Sequence, residues 1–270
     1  MSRVDALVLY VPLYVIAGAV AGLLAGLFGL GGGVILVPVL LWLFAWQGFP
    51  PEIIAVTAVA TSLATIVVTG LSSVLAHHRL GSLDWAVARA LIPGIVVGAI
   101  LGAWVADRLP GTWLETTFAL YLLLVALQMT WRWQPRPGAE PPRASWLAGA
   151  GSVIGMAAAM LGIGGGTLTV PLLVRWALPM RTAVAVSSAA GLPLAAAGTA
   201  SYGVLGWDAP GLPPGSLGYV YLPAFLGIVA TSILTAPVGA RLAHQVPAQT
   251  LKRLFAVILA LIALRILLRG

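Results

Sequence analysis

The chain contains no cysteine, which removes disulfides, thiolate metal sites, iron–sulfur clusters and thiol redox chemistry from consideration. It is also poor in charge. Only 8% of its 270 residues are Asp, Glu, Lys or Arg, against roughly 25% in a soluble domain, so a soluble globular protein is excluded. Extended polar regions are missing too: the longest polar stretch runs from Gln134 to Ser145. The formal net charge of +7 carries no nucleic-acid signal, because the arginines are scattered over short connections without interleaved aromatics. No catalytic carboxylate pair and no nucleophile with its base is present. With no nucleotide-binding motif either, the chain reads as neither an enzyme nor an ATP-driven pump, and no cofactor or metal is expected.

What the chain has in abundance is apolar sequence, 60% of the total. Ten apolar segments follow one another: Leu7 to Phe28, Val34 to Trp46, Ile54 to Ala76, Ala86 to Val105 and Leu114 to Trp131, then Trp146 to Leu161, Thr167 to Ala177, Ala183 to Val204, Leu217 to Ala240 and Leu251 to Leu268. A signal-peptide core is roughly 7–15 residues long. Leu7 to Phe28 exceeds that and is expected to be a retained first span. The pattern predicts an all-α polytopic membrane protein with a half at 1–133, a Pro-rich linker at 134–145 and a second half at 146–270.

The halves echo each other. Leu30-Gly31-Gly32-Gly33 followed by Val37-Pro38 returns as Ile163-Gly164-Gly165-Gly166 followed by Val170-Pro171. Thr61-Ser62 corresponds to Ser187-Ser188, Leu91-Ile92-Pro93 to Tyr221-Leu222-Pro223, and Gly102-Ala103 to Gly239-Ala240. Leu109-Pro110 and Phe118 correspond to Val246-Pro247 and Phe255. Triple glycine is a poor helix former. Irregular backbone is tolerated in a bilayer only where protein or a polar cavity surrounds it. The segment after each motif is also too short to cross, about 17–20 Å at 1.5 Å per residue, which places the glycine turns within the membrane thickness.

Charge sets the expected topology. If all ten segments cross, ten of the 14 lysines and arginines fall on one face and four on the other. With the two short segments re-entrant, the division drops to eight against six. The positive-inside rule favours the sharper division. Five crossings per half then give an inverted structural repeat with both termini periplasmic, an arrangement common in secondary transporters.

The paired motifs Gly29-Leu30-Gly31-Gly32-Gly33-Val34-Ile35-Leu36-Val37-Pro38 and Gly162-Ile163-Gly164-Gly165-Gly166-Thr167-Leu168-Thr169-Val170-Pro171 resemble the sulfite exporter TauE/SafE family. The resemblance covers essentially the whole chain. It implies a prokaryotic inner-membrane permease that moves small sulfur-containing anions or sulfonated organic compounds.

A helix start offers free N–H groups and the positive end of the helix dipole, and glycines let an anion approach them. The candidate site therefore comprises Gly31, Gly32, Gly33 and Val34 with Gly164, Gly165, Gly166 and Thr167. Hydroxyls of Thr57, Thr61 and Ser62, with Ser187 and Ser188 from the other half, are candidates to complete the anion's hydrogen bonds; Thr57, Thr61 and Thr65 line one helix face. Each has a structural alternative. Glycines often serve close packing in membrane helices, and Ser or Thr often bonds its own backbone. His77 and His78 point in different directions with no carboxylate or cysteine beside them, so an interfacial structural role is expected. The expected partners are a small anion and lipid. A passive anion channel or a non-transporting membrane scaffold stays open beside the carrier, and oligomeric state leaves no trace in the sequence.

Overall fold

A computed structural model of the chain describes residues 3–28, 32–79, 83–130, 143–176, 178–243 and 248–268. Gly31 and most of the Pro-rich linker lie outside the described residues. Among those described, ten helices occupy the ten apolar segments. They are α1 (Arg3–Phe28), α2 (Gly33–Trp46), α3 (Pro51–Arg79), α4 (Trp85–Arg108), α5 (Gly111–Thr130), α6 (Ala144–Leu161), α7 (Gly166–Arg175), α8 (Met180–Leu205), α9 (Leu222–Ala243) and α10 (Ala248–Leu267). Six of them, α3, α4, α5, α6, α8 and α9, carry stretches long and apolar enough to cross a bilayer. The chain is an all-α polytopic membrane protein.

The expected ninth segment starts too early. Helix α9 begins at Leu222, because Ser216–Leu217 (β1) and Val220–Tyr221 (β2) pair as an antiparallel hairpin, Ser216 opposite Tyr221. Pro213 and Pro214, with left-handed backbone at Gly215 and Gly218, stop a helix from forming there.

Helix α3 is the axis of the molecule. Every residue from Ile53 to Ile66 is buried, and a helix apolar all round has to be enclosed on every side. It packs on α8 and α2, while α1 lies along α9 and α4 along α6. Lipid-facing leucines and valines are exposed on the outer helices, such as Leu120, Leu124, Val153, Leu234 and Leu261.

Small residues set the outer pairings. A Cβ on Gly94, Gly98 or Gly102 of α4 would run into the backbone of Ala148, Ser152 or Met156 of α6, in that order. Numbers rise together along the two helices, so they run parallel. Gly151 and Gly155 of α6 answer with Leu91 and Ile95 of α4. The same device joins α1 to α9, where Gly18 and Gly22 meet Ile228 and Ser232. Backbones this close gain van der Waals contact that bulkier side chains would prevent. Helix α9 presents Thr231 and Thr235 to these glycines, and Thr231 donates to the Val15 carbonyl at 2.8 Å.

The two outer pairs meet in a similar way: Gly151 of α6 lies against Leu91 of α4, and Gly18 of α1 lies against Ile228 of α9.

Replacing Gly98 or Gly155 by Leu is expected to cost at least the roughly 1–3 kcal/mol usual for overpacking, since backbone and not a side-chain tip must move. Gly149→Leu, where a Cβ meets nothing within 4 Å, should leave the melting temperature in detergent unchanged. Equal melting temperatures for all three variants would contradict this packing.

Candidate functional site

Helix α6 stops because Gly162 takes a left-handed turn (φ 68°). The Ile163 N–H then reaches back to the Ala158 carbonyl at 3.0 Å, the bond of a glycine-terminated helix end. A second left-handed residue, Gly165 (φ 71°), starts α7. The first break is built differently: Gly32 precedes α2 with helical angles (φ −63°, ψ −18°). In both, the first intrahelical bonds run from the third and fourth residues back to the glycine: Ile35 and Leu36 N–H to Gly32, and Leu168 and Thr169 N–H to Gly165. The N–H groups of Gly33 and Val34, and of Gly166 and Thr167, stand ahead of those ladders.

The structure brings the two breaks together. A Cβ on Gly33 would lie 2.5 Å from the Gly162 carbonyl oxygen and 3.0 Å from the Ile163 Cα. The meeting point is flanked by α3 and α8. Ile66 of α3 reaches Gly33 and Gly164, and Leu194 of α8 reaches Gly165. Gly33, Val34, Gly165 and Thr167 are buried, while Gly32, Gly164 and Gly166 are partly so. No lysine, arginine, aspartate or glutamate occurs between Ile53 and Ala76 or between Thr182 and Trp207. The centre is polar through dipoles alone.

Of the candidate hydroxyls, Ser62 is brought to this point, and several of the others already have bonds made. Ser62 donates to the Gly162 carbonyl at 2.8 Å, which ties α3 to the second break. Thr61 accepts from the backbone N–H of Tyr221 at 3.0 Å. Thr65 donates to the Ser62 carbonyl at 2.7 Å, the local backbone bonding common for such residues. Ser73 donates to Ser188 at 3.3 Å, away from the breaks along α3. Ser187 is buried on α8. Thr57 is fully buried, and its hydroxyl has no hydrogen-bond partner among the described residues.

Two tyrosines belong to this picture that sequence reasoning missed. The Tyr121 hydroxyl of α5 bonds the Thr167 hydroxyl at the start of α7. Tyr121 is the lone hydroxyl in the apolar run Phe118 to Ala126, a signal available in principle. Tyr202 donates to the Ala159 carbonyl at 3.1 Å, near the end of α6. His78 is exposed with its ring edge-on to Trp85 at 5.8 Å. The histidine pair thus stands at the end of α3, remote from the glycines. The His77 side chain lies outside the described residues.

Comparison with known proteins agrees in kind. The family described as "Sulfite exporter TauE/SafE" matches residues 14–266. A probable membrane transporter protein of Haemophilus influenzae is 37% identical over 263 residues, covering 96% of this chain and 99% of its own. Another from Methanocaldococcus jannaschii is 25% identical, covering 85% of this chain and 83% of its own. The probable membrane transporter protein YunE of Bacillus subtilis is 28% identical over 65% of this chain and 71% of its own. No solved structure matches.

Ser62→Ala leaves the buried Gly162 carbonyl short of its partner and is expected to destabilise the protein by about 1–3 kcal/mol. Thr57→Val keeps the shape and removes a hydroxyl without a partner among the described residues, so stability should hold or rise. Thermal unfolding in detergent of the two variants checks both; the reverse order would contradict the assigned bonds.

Proposed function

The chain belongs to the sulfite exporter TauE/SafE family, and from that membership we propose a secondary transporter of small sulfur-containing anions, sulfite or an organosulfonate, working by alternating access. The coarser part is established: this is a family of membrane transporters, not of enzymes. The observation that carries the finer reading is the meeting of the two chain breaks, Gly33 against Gly162 and Ile163.

The proposed site takes an oxyanion beside the meeting point of the breaks, at the two helix starts. Donors are the N–H groups of Gly33, Val34, Gly166 and Thr167, approached past Gly32, Gly164 and Gly165. Helix starts favour negative charge, and they do so without burying a lysine or arginine at a cost of several kcal/mol. Thr57 is ready to donate. Thr61, Ser62 and Thr167 must exchange an internal partner for the anion, and Ser187 and Ser188 line the facing helix. A site whose hydroxyls hold alternative partners binds moderately, as a carrier that releases its cargo requires.

The proposed halves, 1–133 and 146–270, would move as the two units of the cycle. Supporting this, exchanging them turns the α1–α9 pair into the α6–α4 pair, and both pairs run parallel. Energy comes from an ion gradient or the membrane potential, with no intramembrane acid marking a proton carrier. Location in the cytoplasmic membrane and both termini on the periplasmic side follow from the charge division.

Purified protein in liposomes should move labelled sulfite or a member of a sulfonate series saturably, with imposed pH and voltage gradients identifying the coupling. Gly33→Leu, which pushes the breaks apart, should insert normally and lose at least about tenfold in flux, roughly 1.4 kcal/mol in barrier height. Absence of flux for every sulfur oxyanion and sulfonate would remove the substrate assignment, and currents far above carrier turnover would favour a channel. For topology, a reporter that fluoresces only in the cytoplasm should stay dark when fused after Gly270; bright fluorescence would refute ten crossings.

A further inference from the structure

The connection between α8 and α9 is long where its neighbours are short. Residues 206–221 fold back over the bundle, whereas α4 and α5 are joined by Leu109 and Pro110 alone. The bonds that hold the returning segment come from both halves of the chain. The Tyr219 N–H donates to the Tyr202 carbonyl at 3.2 Å. Its hydroxyl donates to Asp107 Oδ1 at 2.8 Å, across to the end of α4. The Tyr221 N–H reaches Thr61, inside the candidate site. The Tyr221 ring meets Phe44, Phe49 and Tyr14 edge-on at 5.2–6.1 Å, so it fills the space between the middle of α1, the end of α2 and the turn into α3.

Two features suit this contact to opening. Buried hydroxyls at Ser216, across the hairpin from Tyr221, and at Thr57, one turn from Thr61, have no partner among the described residues. Unsatisfied buried polar groups are unfavourable, and water reaching them on opening would relieve that cost. The segment also bends at left-handed glycines, Gly211, Gly215 and Gly218, and its strands are two residues long. Short strands in a long connection suit an element that swings as a unit without unfolding its surroundings.

We propose that residues 206–221 form the gate at this end of the bundle, latched by Tyr219 on Asp107 and plugged by Tyr221, and that the structure shows this gate shut. Opening it exposes Thr57 and Thr61 to the aqueous side, which by the charge division is the periplasm. The inference rests on the transport reading for its purpose, but not for its geometry. The Tyr219 phenol stays a proton donor through the physiological range, since burial together with Asp107 pushes it up to about 12.

The absence of cysteine makes the test direct. Thr57→Cys removes no hydrogen bond and places one thiol beneath the gate. Labelling by a membrane-impermeant maleimide, on membranes open at both faces, should be slow. Adding Tyr219→Phe or Asp107→Asn should speed it about tenfold, as expected for loss of one charge-assisted bond. Unchanged labelling in both latch variants, fast or slow, overturns the gate. In liposomes, joining Asp107→Cys to Tyr219→Cys with a short bifunctional thiol reagent should cut flux at least tenfold relative to the unjoined protein. Undiminished flux after joining also overturns it. If labelling responds to the latch while neither native nor unjoined protein moves any anion, the transport reading fails and the gate stands.

Discussion

Two interrupted helices can meet inside a membrane only if their loose backbone groups are enclosed by protein, and that requirement organises this molecule. The Gly33 backbone lies against the Gly162 carbonyl with room for hydrogen and nothing larger. Ser62 caps the same carbonyl, and α3 is buried on every side where it passes the contact. The breaks are thus the place around which the bundle closes. An oxyanion entering there would find amide donors instead of charged side chains, which suits binding and release better than a buried ion pair would.

The outer helices meet a different need. Without a hydrophobic force between helices in lipid, α1 with α9 and α4 with α6 rely on close approach. Gly18, Gly22, Gly151 and Gly155 supply it from one side in both pairs. The partner helices differ: α4 is smooth, with Gly94, Gly98 and Gly102, whereas α9 carries Thr231 and Thr235, of which Thr231 bonds α1 directly. The α1–α9 contact therefore combines packing with a hydrogen bond across the interface.

Much of this was legible in the sequence. Ten segments, two short helices after the glycine motifs and the family were all readable, because a long apolar run or a triple glycine has few structural meanings in a bilayer. Contacts between distant segments were not. Nothing in the spacing says that Ser62 seeks Gly162, that Tyr121 meets Thr167, or that Tyr221 donates to Thr61, since each depends on how separate helices cross. The hairpin at Ser216–Tyr221 was hidden in an apolar stretch that reads as the start of a helix. Proline spacing did not reveal helix bounds either: Pro223 opens α9, whereas Pro93 lies inside α4. Gly31 and residues 134–142 of the Pro-rich linker lie outside the described residues.

The central claim is that the amides at the two breaks hold the transported anion. Solid-state NMR on protein labelled with nitrogen-15 at glycine, valine and threonine reads those amides directly in lipid. Titrating sulfite or the transported sulfonate should shift the Gly33, Val34, Gly166 and Thr167 resonances together and saturably, while glycines of the α4–α6 interface stay still. Resonances at both breaks that ignore an anion the protein demonstrably transports would contradict the account.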